Sequence, residues 1–286
     1  MNISGKTRKY AVLGHPIDHS LSPLMHNASL RSLGEDAIYL AFDVHPDNLL
    51  AVLAAMETMG FGGVNLTVPL KEVARRGLDQ IDDSAWLLGS VNTVQFTGSG
   101  MVGHSTDGYG FVRALAEAFD IEVEGRAVFV LGCGGAGRAV ALTCADLGAA
   151  SIILSDIDGE KLLGLESEIA DLGSQTEILI PSDTNEQTAL CRQSDLVVQA
   201  SPVGMKPSDG SLLGPDAFRA GQDVFDLIYM YPQTAFLATA AAAGARIANG
   251  LGMLLHQGAR AYEIWTGSPP DVEAMRRALE EAVYRK

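Results

Sequence analysis

Three glycines, Gly132, Gly134 and Gly137, fill the spacing G-x-G-x-x-G within the stretch VFVLGCGGAGRAVALTCADLG. They stand directly after an apolar strand-like run and at the start of a helical one, and that context is what gives the spacing its meaning. Glycines there permit a tight turn and let a pyrophosphate approach the N-terminus of the helix. Cys133, Gly135 and Ala136 complete the expected cradle; a small side chain suffices at 133, and it is given no redox role. The alternative is a glycine-rich βα turn without a ligand.

The next apolar run, ASIILSD, ends at Asp156, nineteen residues after Gly137. An acidic side chain there takes the two ribose hydroxyls of NAD, whereas a 2′-phosphate calls for Arg or Lys. Ser155, Asp156, Ile157 and Asp158 occupy the place, with Lys161 the cation nearby. Two carboxylates repel a phosphate dianion, so the local chemistry favours NAD over NADP. Asp156 has a second possible use, as cap of the following helix. Two further loops fit the same domain. In ASPVGM, Val203 and Met205 are placed to pack on a nicotinamide ring, Met205 being otherwise a core residue. DLIY is expected to end the last clear strand, aiming Tyr229 at the same edge. Ser201, Leu227 and Gly250 complete the expected cofactor set.

A second stretch, VNLTVPLK at 64–71, mixes two characters. Alternation sets Val64, Leu66 and Val68 on one face and Asn65 and Thr67 on the other, with Pro69 ending the strand and Lys71 beyond it. Open α/β sheets bind ligands outside the carboxyl ends of their strands. A polar face there suits a ligand rich in hydroxyls. Ser20, Ser22, Asn92 and Asp107 are expected at similar strand ends. Each also has a local use, Ser22 and Asp107 as helix N-caps and Asn92 in a turn.

The elements that must position these residues alternate between strand-like and helix-like, as in an α/β chain with parallel sheets. The first set of strands is KYAVLG (9–14), AIYLAFDV (37–44), GGVNLTVP (62–69) and SVNTVQF (90–96), the last entering a hairpin. SPLMHNASLRSL reads as a helix with Ser22 as N-cap and Pro23 at its first position, and PDNLLAVLAAMETM as one starting at Pro46. The second set is RAVFVLG, ASIILSD, TEILIP, DLVVQAS and QDVFDLIY, apolar enough for buried parallel strands. Nothing resembles a linker, so the boundary is expected inside GYGFVRALAEAF (108–119). From NGLGMLL onward the chain reads as helical and does not continue the second sheet.

With 286 residues, 47% of them hydrophobic, the chain can bury one large core or two ordinary ones. A formal charge of −15 argues against nucleic acid and an anionic membrane face, but not against a small anionic ligand. No apolar run is long enough to span a membrane. The N-terminus lacks the apolar core of a signal peptide. Three unpatterned cysteines point to a reducing cytosol, hence a cytoplasmic protein. His15 and His19 lie among Gly14, Pro16 and Ser20, a loop context that argues against a metal site.

Taken together these residues are recognisable: the chain resembles the shikimate dehydrogenases over nearly its whole length. The matching pieces, in order, are GHPIDHSLSPLMHN, VNLTVPLKE, GSVNT, STDGYGF, LGCGGAGRA, ASPVGM and NGLGMLLHQGARAYEIWTG. The resemblance implies two α/β domains flanking a cleft, the second a Rossmann-type doubly wound parallel sheet. Residues 1–107 plus 251–286 would form the substrate-binding catalytic domain and 108–250 the dinucleotide-binding domain. It implies reversible oxidation of the C3 hydroxyl of shikimate to 3-dehydroshikimate, a step of chorismate and aromatic amino acid biosynthesis, with NADP as the family default. The family's catalytic pair falls on Lys71 and Asp107, and its substrate contacts on Ser20, Ser22, Asn65, Thr67, Asn92, Tyr229 and Gln257. Removing a hydride from an alcohol carbon requires the hydroxyl proton to leave. Lys71 can exchange that proton, and Asp107 can orient its ammonium. Ser20 and Ser22 would hold the carboxylate, and the Asn, Thr, Tyr and Gln side chains would read ring hydroxyls.

Two positions depart from the family. Ser105 stands where an Asn usually precedes Thr-Asp, and Ser155-Asp156-Ile157 replaces an Asn-Arg-Thr cluster. The second departure looks more like the NAD-using quinate/shikimate dehydrogenases, a catabolic alternative that the space around Ser20 and Ser22 would decide. An alternative of another class is a catalytically silent ligand-binding sensor on the same scaffold, against which Lys71 and Asp107 both speak. A methyltransferase using the glycine turn would give that pair no task. The expected partner is a small-molecule substrate, and the expected state a monomer or homodimer.

Overall fold

The structure, a computed structural model, describes residues 3–285. It forms two compact units, Met1–Gly110 with Leu254–Lys286, and Phe111–Met253. The first contains β1 (Arg8–Gly14), α1 (Ser22–Ser32), β2 (Ala37–Asp43), α2 (Leu49–Thr58), β3 (Phe61–Leu66), α3 (Leu70–Gly77), β4 (Gln80–Ile81), α4 (Asp83–Leu88), β5 (Thr93–Thr97) and β6 (Gly100–His104). α5 (Asp107–Phe119) contains the division. The second unit holds β7 (Ala127–Leu131), α6 (Gly135–Asp146), β8 (Ser151–Ser155), α7 (Gly159–Asp171), β9 (Glu177–Leu179), α8 (Thr184–Gln193), β10 (Leu196–Gln199), β11 (Asp223–Asp226), α9 (Ala235–Ala242) and β12 (Arg246–Asn249). The chain then runs through α10 (Leu251–Thr266) into α11 (Val272–Tyr284).

The sheet of the first unit runs β2-β1-β3-β5-β6-β4. β1 pairs in parallel with β2 and β3, while β5 and β6 form an antiparallel hairpin against β3. Its buried faces carry Leu13, Val64, Leu66 and Val94 against Leu49, Leu53 and Leu70 of α2 and α3. On the other side Tyr10, Val12 and Tyr39 meet Leu30, Tyr262 and Trp265. Each such side chain stabilises the fold by about 1.5–3 kcal/mol on burial. α11 is anchored beside α1 through Asp271, which caps the helix and whose N–H donates to Ser29 Oγ at 2.9 Å.

The second sheet is parallel throughout, in the order β12-β11-β10-β7-β8-β9. Strand order reverses between β7 and β10, and ligands of doubly wound sheets sit where that happens. Phe129, Val197, Val224 and Phe236 are among the side chains that close its core.

Several element boundaries differ from the sequence expectation; α2 opens at Leu49 after a 3-10 turn over Pro46–Asn48, and Asp107 is the first residue of α5 rather than its N-cap. β3 stops at Leu66, because Leu70 N–H turns back to Thr67 O at 2.8 Å to open α3; Val68, expected beside Val64 and Leu66, is 69% exposed. Leu21 rather than Ser22 is the N-cap of α1, so Ser22 is its first residue and Pro23 its second. β11 ends at Asp226, three residues before Tyr229, because Ile228 N–H bonds to the Asp226 side chain and leaves the ladder. β12 is an additional strand, obscured in the sequence by Arg246 and Asn249 at its ends.

One contact sets a strict size limit. A Cβ on Gly63 would lie 2.1 Å from Trp265 Cδ1, and Trp265 is pinned by donating Nε1–H to Val94 O at 3.1 Å. Gly63→Ala is expected to cost about 1–3 kcal/mol in urea unfolding, as overpacking does; a change below about 0.5 kcal/mol would show that the indole moves freely.

Candidate active site

The first unit gathers most of the expected substrate residues around one asparagine. Asn92 is held by its backbone, donating to His104 O at 3.0 Å and accepting from Leu66 N–H at 2.7 Å. Its Nδ2 donates to Asp107 Oδ1 at 2.8 Å and Thr106 Oγ1 at 3.0 Å, with Gln257 Oε1 at 3.4 Å. Its Oδ1 accepts from Thr106 N–H at 2.8 Å and Thr93 Oγ1 at 2.9 Å. Asp107, buried in the first turn of α5, is therefore fixed through one oxygen and presents the other to Lys71 Nζ at 2.6 Å. A carboxylate in that turn is also favoured by the helix dipole. Lys71 keeps 25% of its side chain exposed, so the ammonium is both oriented and reachable.

The network continues to the opposite side of β3. Asn65 donates from Nδ2 to Asn92 O at 3.2 Å and Thr93 Oγ1 at 3.0 Å, and its Oδ1 accepts from the Tyr39 hydroxyl at 2.6 Å. A backbone carbonyl can only accept, so the amide orientation and the Tyr39 proton direction follow from Asn92 O. Ser22 bonds to the Tyr39 hydroxyl in turn, and burial pushes that phenol well above its ordinary range. Ser20 Oγ accepts from Ser22 N–H at 3.3 Å. Thr67 lies half-buried at the end of β3, its methyl against Gly14, and Gln257 is braced by donating to Leu254 O at 2.9 Å. Asn65 retains one acceptor lone pair, enough to receive a hydroxyl.

Tyr39, His26, Thr93 and Thr106 escaped the sequence reading. Tyr39 sat in an apolar strand and looked like core. His26 stacks on it, 4.2 Å between ring centroids, and its Nε2 is buried with no partner among the described residues. The thin signal for it was a histidine on the helix face that carries Met25 and Leu30.

In the second unit the glycine turn has the shape that a pyrophosphate needs. Gly132 has φ +96°, and a Cβ there would lie 2.6 Å from Ser201 N; one on Gly137 would lie 1.8 Å from Gly132 O. Gly134 and Gly135 face open space at the head of α6. Ala136 is exposed in its first turn. The residues thus fit a dinucleotide: two glycines close the turn and two leave room. Asp156 receives Cys133 N–H on Oδ2 at 2.6 Å and Asp158 N–H on Oδ1 at 2.9 Å, so it clamps the turn to the end of β8. The cap of α7 is Asp158, whose carboxylate is held below its usual range by backbone N–H bonds, Lys161 first. Cys133 is pushed up to about 12 by burial and then by Asp156. Ile157 is fully exposed.

At the same sheet edge Ser201 N–H donates to Gln199 Oε1 at 2.5 Å, and Val203 N–H to Ser201 Oγ at 3.3 Å. Met205 is 41% exposed, which corrects the alternative that it is core. Leu227 N–H donates to Gln199 O at 2.9 Å, and Gly250 has to be glycine, since a Cβ would lie 2.1 Å from Leu227 O. Tyr229 lies in the loop after β11, its phenol raised by burial. Among the described residues no group of three or more His, Cys, Asp or Glu is arranged to hold a metal ion, and no helix is long and apolar enough to cross a membrane.

Comparisons with known proteins give the family. The family profile described as the shikimate dehydrogenase substrate binding domain matches residues 12–94, and that of the shikimate 5′-dehydrogenase C-terminal domain matches 250–280. A relative from Moorella thermoacetica, a shikimate dehydrogenase (NADP(+)), is 40% identical over 99% of this chain and 96% of its own. The chain belongs to the shikimate dehydrogenase family. Its fold is that of the Thermus thermophilus shikimate 5-dehydrogenase solved with NADP(H) and shikimate, at TM-score 0.85 and 37% identity over 96% of this chain and 100% of that one. The Listeria monocytogenes shikimate 5-dehydrogenase, solved with shikimate and NAD, superposes at TM-score 0.89 with 33% identity over 98% of each chain.

His26 carries a pH consequence. Burial pulls it from 6.5 to about 3, so between these values the unfolded chain binds a proton that the folded chain does not. The stability it contributes is complete above pH 6.5 and falls with pH by about 1.4 kcal/mol per unit. Between about pH 6.5 and 4.5 the wild type should lose about 2–3 kcal/mol more in urea unfolding than His26→Phe does; equal losses would mean that the imidazole takes up its proton in place.

Proposed function

We propose that this chain catalyses the reversible NAD(P)-dependent reduction of 3-dehydroshikimate to shikimate, with Lys71 and Asp107 as its catalytic pair. The 2.6 Å contact between Lys71 Nζ and Asp107 Oδ2, with Asn92 holding the other carboxylate oxygen, is the observation that carries the reading. A bound nicotinamide cofactor would supply or take the hydride. Lys71 Nζ exchanges the hydroxyl proton with the reacting oxygen, and Asp107 keeps the ammonium aimed. Ser20 and Ser22 hold the carboxylate; Ser22 turns its hydroxyl from Tyr39 to do so, which costs little because the tyrosine oxygen need not accept. Asn65, Thr67, Asn92, Tyr229 and Gln257 read the ring hydroxyls, Asn65 through its spare lone pair.

In the second unit Gly132, Cys133, Gly134, Gly135, Ala136 and Gly137 receive the pyrophosphate. Ser201, Val203, Met205, Leu227 and Gly250 form the nicotinamide end. NAD is the preferred cofactor in this reading. Asp156 spends one lone pair of each oxygen on backbone N–H and keeps others for ribose hydroxyls. Ile157 stands fully exposed where a phosphate would need a cation. The relatives named for NADP(+) make this the point of divergence. Three buried, unpaired cysteines suit a reducing compartment, the cytoplasm.

Initial rates of shikimate oxidation with NAD and NADP, with quinate run in parallel, test this reading. Turnover of shikimate with the higher kcat/KM on NAD is expected. Preference for NADP would refute the role given to Asp156, turnover of quinate would extend the substrate range, and no turnover with either cofactor would refute the reaction.

A further inference from the structure

Thr93 opens β5, fully buried and in register with Asn65 of β3, and the reaction as described gives it no task. Its hydroxyl nevertheless touches both buried amides of the site. It accepts from Asn65 Nδ2 at 3.0 Å and donates to Asn92 Oδ1 at 2.9 Å. A backbone group forces the direction at each end. Asn65 Nδ2 also donates to the carbonyl Asn92 O at 3.2 Å, so the Asn65 NH2 lies there, and an NH2 only donates. Thr106 N–H donates to Asn92 Oδ1 at 2.8 Å, so that oxygen only accepts. Thr93 has one proton, and with Asn65 donating to its oxygen that proton goes to Asn92.

Followed in both directions, these bonds form one chain in which every donor points the same way. The Tyr39 hydroxyl donates to Asn65 Oδ1 at 2.6 Å, Asn65 to Thr93, Thr93 to Asn92, and Asn92 Nδ2 to Asp107 Oδ1 at 2.8 Å. The chain ends on the carboxylate whose other oxygen takes Lys71 Nζ at 2.6 Å. Its first donor is held as well, because the Tyr39 ring stacks on His26 with 8° between the planes. Hydrogen bonds in series polarise one another. A donor on an amide oxygen draws density from the nitrogen and strengthens the bond that its N–H makes. Asn92 would keep its Thr106 bonds without Thr93. What Thr93 adds is the connection of that amide to Asn65.

We propose that Thr93 is a positioning residue for the reaction, joining the amide that receives a substrate hydroxyl to the amide that aims Asp107 and Lys71. A hydroxyl donated to the spare lone pair of Asn65 Oδ1 enters the chain there, and its pull passes through Thr93 toward the carboxylate. Binding the correct polyol thereby tightens the aim of the pair. This rests on the substrate role proposed for Asn65 and the catalytic roles proposed for Asp107 and Lys71.

The test measures kcat for shikimate oxidation, calorimetric shikimate affinity and Tm for wild type, Thr93→Val, Thr93→Ser, Tyr39→Phe and the Tyr39→Phe/Thr93→Val double variant. Valine keeps the volume and removes the hydroxyl; serine keeps the hydroxyl and removes the methyl. Thr93→Val should lower kcat by about tenfold, the equivalent of one buried hydrogen bond, with the dissociation constant changed only about threefold. Thr93→Ser should stay within about threefold of wild-type kcat although its lost methyl lowers Tm. Tyr39→Phe removes the first donor of the same chain, so the double variant should be no slower than the slower single one. Wild-type kcat in Thr93→Val, a serine variant as slow as the valine one, kcat that simply follows Tm, or losses that multiply in the double variant would overturn the role alone. A wild type that does not turn shikimate over with NAD or NADP would overturn the reaction reading together with it.

Discussion

The amide of Asn92 is the contact on which the first unit's polar network depends. Its oxygen takes the backbone N–H of Thr106 and the hydroxyl of Thr93, and its nitrogen serves Asp107 and Thr106, so the side chain cannot rotate without breaking several bonds at once. That rigidity passes through Asp107 to the ammonium of Lys71. A lysine has four rotatable bonds and tolerates many positions; a proton-transfer group needs one. The carboxylate supplies the restraint, and the asparagine supplies the restraint on the carboxylate. The backbone carbonyl of the same residue sets the amide orientation of Asn65 and the proton direction at Tyr39. One strand-to-strand connection thus organises both the Lys71–Asp107 pair and the Asn65–Tyr39 side of the network.

The second unit solves a different problem with the same economy. The surface around its glycine turn is backbone, so what matters is where the chain can approach closely. Gly132, Gly137 and Gly250 each face a backbone atom at a distance that no Cβ would permit. Side chains enter as clamps: Asp156 ties the glycine turn to the end of β8, and Gln199 with Asp226 ties two loops to the ends of β10 and β11.

Much of this was legible before the structure. Apolar, strand-like runs located most strands of both sheets, and G-x-G-x-x-G after a strand located the glycine turn at the head of α6, because those patterns are consequences of local geometry. Strand ends were misplaced where the chain leaves the ladder through a side-chain bond, as at Asp226, or through a turn, as at Thr67. Tyr39 and His26 were invisible as polar partners because the apolar pattern that names a core residue is blind to a hydroxyl or ring nitrogen inside it. Asp156 was read as a ribose acceptor, but its hold on Cys133 N–H links positions 23 residues apart that only the folded sheet brings together.

The most direct test is Lys71→Ala, comparing kcat for shikimate oxidation with shikimate affinity measured by calorimetry. Loss of a proton-exchanging group that acts in the transition state should lower kcat by about 10²–10⁴-fold while the dissociation constant changes only a few-fold. Turnover retained near the wild-type rate, with Lys71 absent, would contradict the assignment of the proton to this residue and leave the Asn92–Asp107 arrangement without its chemical purpose.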